Sequence, residues 1–318
     1  MLKLTNPTRP QTIDELIDSS MAARLGALDF TSRKIFAGKL KGERRSKKRG
    51  ESVEFADHKP YVVGDDLRHI DWNIYARLDR LFLKLFMEEE DLALHVVVDC
   101  SGSADCGEPS KFLFAQKLAM ALGYIGLVNF NRVSATAIGG LGEAPQDQGA
   151  RREAVITRAV RDLRGRRRTL ELARFLCSLE PGGNAPFTEA CKRIALARRG
   201  KGVMVVISDF FIKEGYETGL RLLLGRGYDV VAIQVLSPQE LDPPIVGDLR
   251  LRDVEDADQA EVTISAPLLR KYKANLAAYC EVLRTFCARR EITHFTVRSD
   301  LGVDVLLLDY LRKRGVVS

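Results

Sequence analysis

Residues 92–105 read LALHVVVDCSGSAD. Apart from His95 the first seven are apolar, over a length that suits a strand buried on both faces. Asp99 closes the run, and Ser101 and Ser103 follow at alternate positions. Two readings compete. Ser103 or Asp105 can cap a following helix, or Asp99, Ser101 and Ser103 can gather three hard oxygen donors around a cation such as Mg²⁺ or Mn²⁺. A second run, VMVVISDFF at 203–211, also ends in an acid, Asp209. If the two strands are neighbours, Asp99 and Asp209 meet at one sheet edge, where two like charges call for a cation between them.

Outward from this stretch, strands and helices alternate. Helices are expected over 111–130, 154–163, 169–179, 187–199, 216–224 and 303–313, with a long one over 267–289 capped by Ser265. Strands are expected over 133–138, 203–208, 229–236 and 294–299. Such alternation predicts an α/β fold with a mostly parallel sheet. In such sheets ligands collect at the carboxyl ends of strands near a switch in strand order.

The first third is organised differently. Leu16, Ile17, Met21 and Leu25 form one stripe of a helix expected over 12–25. SVEFADHKPYVV (52–63) and RLFLKLFM (80–87) alternate in the manner of antiparallel strands, with GDDLRHIDWNIYAR (64–77) between them. Residues 1–91 are therefore expected to form an N-terminal helix plus β-rich appendage packed on the core, and 92–318 the α/β domain.

Composition narrows the function classes. Six cysteines are scattered without a C-x-x-C pair, which argues against a zinc site and for free thiols in a reducing compartment. The N-terminus has no apolar h-region. The most apolar helix is uninterrupted only from Leu118 to Val128, short of the ~20 residues of a membrane span. It reads as a buried amphipathic helix, and the protein as cytoplasmic with no membrane span. The net charge of +6 rests largely on GERRSKKRG (42–50) and RGRRRTLELAR (164–174). Neither run is interleaved with the aromatics on which bases stack, so both are read as solvated faces.

The D-x-S-x-S and later S-D elements resemble the von Willebrand factor A-like fold and its metal-ion-dependent adhesion site. GERRSKKRGESVEFADHKPYVVGDDLRHIDWNIYAR (42–77) resembles the signature of the bacterial family called domain of unknown function 58, and YLRKRGV (310–316) is in that family's style. The resemblance spans residues ~35 to the C-terminus. It implies a doubly wound, mostly parallel sheet flanked by helices, with Asp99, Ser101 and Ser103 of the first loop and Asp209 of the third as metal ligands. In the second loop the resemblance implies a threonine after G-G, where PGGNAPFTEA (181–190) has Asn184. Its carbonyl oxygen is an acceptable hard ligand but not a hydroxyl of the same reach, so weak binding of Mg²⁺ or Mn²⁺ is expected. Thr188 comes four residues late and reads as helical. The resemblance further implies a partner, a MoxR-type AAA+ ATPase or its client protein.

Within the signature, Tyr61, Gly64, Asp65, Arg68, Asp71, Trp72 and Arg77 admit two roles. They form either an exposed recognition surface or a structural network in which Asp65 and Asp71 pair with Arg68 and Arg77 around a packed Trp72. Charged bidentate pairs around an aromatic favour the structural role.

Catalysis finds little support. No P-loop or G-x-S-x-G is present, and Ser101 stands where a dehalogenase-type phosphatase needs its second acid. The histidines are His58, His69, His95 and His294. The expectation is a non-enzymatic, metal-assisted protein-binding module. The alternative is a basic adaptor that contacts nucleic acid or an acidic protein through 42–50 and 151–168.

Overall fold

The computed structural model describes residues 9–30, 55–63, 65–86, 92–141, 156–183, 186–197, 202–245, 247–252, 259–313 and 316. They divide into two compact units, Glu43–Asp91 and the combination of Met1–Gly42 with Leu92–Ser318. The expected boundary at 91/92 coincides with one of these limits, but the N-terminal helix falls with the α/β unit and not with the signature region.

The chain opens with α1 (Ile13–Leu16) and α2 (Ser19–Leu25). One helix was expected here. Ile17 is extended and the Asp18 carboxylate accepts the Met21 N–H at 2.7 Å, so a new helix is capped where the first one stops. Leu16, Ile17 and Leu25 are buried in the α/β core, which explains why this segment belongs there. In the smaller unit β1 (Phe55–Pro60) pairs antiparallel with β2 (Phe82–Phe86), as the alternation predicts, and α3 (Trp72–Leu78) lies between them in sequence.

The larger unit contains β3 (Ala93–Asp99), α4 (Lys111–Val128), β4 (Arg132–Ile138), β5 (Thr157–Leu163), α5 (Thr169–Cys177) and α6 (Phe187–Ala197). After these come β6 (Gly202–Ser208), α7 (Glu217–Leu224), β7 (Tyr228–Leu236) and α8 (Pro238–Leu241). A hairpin of β8 (Gly247–Arg252) and β9 (Gln259–Ile264), α9 (Ala266–Ala288), β10 (Thr293–Arg298) and a helical segment from Val303 complete it. The central sheet has the order β10-β7-β6-β3-β4-β5, parallel throughout except for β5.

Valine runs with no polar side must be covered on both faces, and both faces carry a core. Leu94, Val96 and Val98 of β3 point into one, filled by α4 and α5. Val97 points into the other with Met204 and Val206 of β6, beneath α6 and α7. The two strands start in very close approach: a Cβ on Gly202 would lie 2.0 Å from the Ala93 carbonyl oxygen. Gly202→Ala is therefore expected to cost about 2 kcal/mol, as overpacking against immovable backbone does, measurable by urea unfolding.

Two expectations need correction. Residues 157–163 form strand β5 where a helix was expected; at the sheet edge only Leu163 is buried and Ala159, Arg161 and Asp162 are exposed, so its period-2 pattern is thin. Helix α4 is buried around nearly its whole circumference and is not amphipathic. Among the described residues it is the one helix long and apolar enough to cross a membrane, and 83% of it is buried inside the fold. The β8–β9 hairpin had no counterpart in the sequence reading.

Candidate cation site at the sheet switch point

From β3 the chain winds outward through β4 to β5, then crosses back to β6 and winds the other way through β7 to β10. The switch lies between β3 and β6, where open α/β sheets leave a crevice. Val98 pairs with Ile207, so Asp99 stands level with Ser208 at the carboxyl ends, and Asp209 follows one residue on. The expected neighbourhood of the two aspartates is present.

Each oxygen has a defined setting. The Ser208 hydroxyl donates to Asp99 Oδ2 at 2.5 Å, and the Ser101 N–H donates to Oδ1 at 2.9 Å. The Ser101 and Ser103 hydroxyl oxygens are 2.9 Å apart, brought together by a tight 3₁₀ turn over Gly102–Ala104. Neither Ser103 nor Asp105 caps α4; Ser110 does, accepting the Leu113 N–H at 3.3 Å. The helix-cap reading of this loop is thereby removed. Burial and the Asp209 charge hold the Asp99 carboxyl above its ordinary value, although hydrogen bonds from Ser208 and Ser101 oppose the shift.

The second loop lies alongside the first. Gly102 N–H donates to the Gly183 carbonyl and Gly182 N–H to the Cys100 carbonyl, each at 3.0 Å. Asn184 lies outside the described residues. Thr188 is helical as expected, in the first turn of α6, and its N–H donates to Glu214 at 2.8 Å.

Asp209 carries a feature that the sequence reading missed. Its Oδ1 accepts the Phe211 N–H at 3.0 Å, across Phe210, a buried residue at φ +60°. A bulky side chain in the left-handed region is strained backbone, and it turns the chain sharply at the end of β6. Asp209 Oδ2 accepts from Lys111 Nζ at 2.7 Å, and the same ammonium donates to Glu240 Oε1 at 2.7 Å. Glu240 in turn closes a capping box with Ser237 at the start of α8. Burial works against the Lys111 charge, but Asp209 and Glu240 outweigh it and hold the ammonium above its ordinary value.

Asp99, Ser101, Ser103 and Asp209 line one cleft of about 150 Å³, whose rim also includes Phe211, Lys213 and Glu214. All four offer hard oxygens, and a carboxylate has about four lone-pair positions, of which hydrogen bonds occupy only part. The donor set fits Mg²⁺ or Mn²⁺ in kind. Among the described residues no group of three His, Cys, Asp or Glu side chains is disposed to hold a metal. An ion held by two carboxylates and two hydroxyls would keep some of its water, as Mg²⁺ usually does.

The signature region departs from its expected network. Asp71 is buried and caps α3, accepting the N–H groups of Asn73 and Ile74. Its partners are His58 at 3.1 Å and Lys84 at 3.4 Å, not the arginines. Asp65 pairs with Lys59, and Arg68 with Asp66. Arg77 is exposed, and Gly64 lies outside the described residues. Trp72, expected to be packed, is 63% exposed and meets Tyr75 edge-on, with Leu67 and Leu78 also exposed nearby in sequence. The physical reason is local: Trp72 is the first residue of a seven-residue helix, too short to cover every face. Trp72→Ala should therefore cost less than about 1 kcal/mol, and Asp71→Ala should lower the melting temperature more than Trp72→Ala does. Thermal melts of the two variants side by side check this order.

Together the sheet order and the oxygens at its switch define a mixed α/β protein with a hard-donor cleft at the carboxyl edge of a largely parallel sheet. The model of the family described as "Protein of unknown function DUF58" matches residues 57–282, and the chain belongs to that family. It is 27% identical over 312 residues to the uncharacterized protein Rv1480 of Mycobacterium tuberculosis, covering 96% of this chain and 93% of that one. It is 33% identical over 123 residues to the uncharacterized protein MAV169 of Mycobacterium avium, covering 38% of this chain and 72% of that one. Among solved structures it resembles an aerotolerance-related membrane protein from Bacteroides fragilis, with TM-score 0.43, 16% identity, and coverage of 70% and 97% of the two chains. BatB from Bacteroides thetaiotaomicron gives TM-score 0.39 and 13% identity, with coverage of 70% and 98%. At these scores the structural likeness carries no functional conclusion.

Proposed function

We propose that the protein is a non-enzymatic, cation-assisted protein-binding module with a von Willebrand factor A-like core. It serves in the cytoplasm as an adaptor for a MoxR-type AAA+ ATPase or that ATPase's client. The observation that carries this reading is the convergence of Asp99, Ser101, Ser103 and Asp209 on one cleft at the sheet switch point. Mg²⁺ or Mn²⁺ bound there would supply a positive centre with a position open to a partner's carboxylate. Asp99 and Asp209 offset the ion's charge, and the two hydroxyls fix its place. Among the described residues no histidine or cysteine lines this cleft. His95 bonds Thr136 within the sheet instead, and His58 bonds Asp71.

Co-purification from the native host in Mg²⁺ tests the proposal. Wild type is expected to recover an ATPase or its client, and EDTA or Asp99→Ala to abolish recovery while the variant stays folded. Recovery that ignores both treatments would overturn it.

One observation favours the alternative: Arg161 on the edge strand β5, and Arg164, Arg166 and Arg167 just after it, are all exposed. The run 42–50 lies outside the described residues. Nucleic acid bound there would dissociate steeply with salt, with a log–log slope near −0.9 per phosphate contact, and would be indifferent to EDTA.

A further inference from the structure

Beneath the cleft lies a buried cation that belongs to the protein. Lys111 opens helix α4 with its side chain only 3% exposed, and its ammonium spans Asp209 and Glu240 at 2.7 Å each. Lys111 does not line the outer cleft. It lines a small inner recess with Asp99, Ser208 and Asp209. Asp209 thus stands between two places for positive charge, the outer cleft on one side and the ammonium on the other.

We propose that Lys111 sets the cation affinity of the cleft: its ammonium shares the Asp209 carboxylate with any ion that enters, and so keeps uptake weak and exchangeable. This inference rests on the reading of the cleft as a cation site. A carboxylate shared by two positive charges gives less to each, and the two positive charges repel. At an effective dielectric near 20, two unit charges ~4 Å apart change affinity by roughly three powers of ten, and solvent in the cleft screens part of this, so tenfold is the least effect expected. Glu240 acts in the opposite sense. It draws the ammonium partly off Asp209, and it holds its own place through the Ser237 N–H at 2.7 Å and hydroxyl at 3.0 Å. A residue that merely propped Asp209 in position would give the reverse result, since its loss would loosen a ligand and weaken the ion. The sign of the effect therefore separates charge sharing from support.

The experiment is Mn²⁺ titration of the full chain, followed by the electron paramagnetic resonance of free Mn²⁺. Wild type, Lys111→Met, Glu240→Gln and the double variant are compared, with Asp99→Ala as the blank. Lys111→Met is expected to bind Mn²⁺ at least tenfold more tightly than wild type, and Glu240→Gln more weakly. If Lys111→Met does not fold without metal, the double variant, which leaves no unpaired Glu240, is expected to bind more tightly than wild type by a smaller factor. Equal or weaker binding by the Lys111 variants, with wild type binding normally, overturns the inference and leaves the cleft reading intact. Absence of Mn²⁺ binding in every protein, wild type included, overturns the cleft reading and this inference with it.

Discussion

Lys111→Ala in metal-free buffer is expected to lose about 3–5 kcal/mol of folding stability, the cost of breaking a buried ion pair from one side. The ammonium, Asp209 and Glu240 are all buried, and its removal leaves two buried carboxylates with no cation between them. At roughly 2–4 °C per kcal/mol for a domain of this size, the melting temperature should fall by about 10 °C. The exposed pair of Arg168 with Glu171 is the control. It has the same 2.7 Å separation, but water screens it, and Arg168→Ala should leave the melt nearly unchanged. If Lys111→Ala melted like wild type, the desolvation of the ammonium would have to cancel its attraction to both carboxylates. Asp209 and Glu240 would then be held by something other than the ammonium.

What the sequence could reveal depends on how local each determinant is. β3 and β6 are legible because strands covered on both faces read as near-continuous apolar runs, but that they are neighbours entered only as a condition, since sheet order is set by pairing between residues about 110 positions apart. Lys111 was not legible as a site residue. Its partners lie 98 and 129 residues away, and a lysine at the start of an apolar helix looks like an ordinary boundary. Glu240 did leave a trace, since Ser237-Pro-Gln-Glu240 is a capping box with proline at the first helical position. That pattern fixes where Glu240 sits, though not what it faces. Trp72 misled for a different reason. Burial of a large aromatic is the rule for a core, but α3 is a short helix whose only strong anchor is its cap, Asp71. The arginine-rich β5 misled because an edge strand has one covered side, so charge can replace the alternation that would announce it.

Mg²⁺ or Mn²⁺ at about 100 times its dissociation constant is expected to raise the stability of the wild type by about 2.7 kcal/mol, if it binds the folded chain alone. The oxygens of Asp99, Ser101, Ser103 and Asp209 come together only when β3 and β6 are paired, so the unfolded chain offers no equivalent site. In metal-free protein, burial and the Asp209 charge hold the Asp99 carboxyl above its ordinary value, which means that ionised Asp99 is a liability to the fold. A cation turns that liability into binding energy, and EDTA should return the melt to its starting point. Asp99→Ala removes both parts at once. Its metal-free stability should stand close to wild type, because the loss of Ser208's acceptor offsets the relief of a buried charge, while its response to Mg²⁺ should vanish. Ser101→Ala should keep part of the response, since Ser103 and both carboxylates remain. A melt that ignores Mg²⁺, Mn²⁺ and EDTA in wild type and Asp99→Ala alike would show that Ser208 and Lys111 already satisfy these carboxylates, and that the cleft holds no ion.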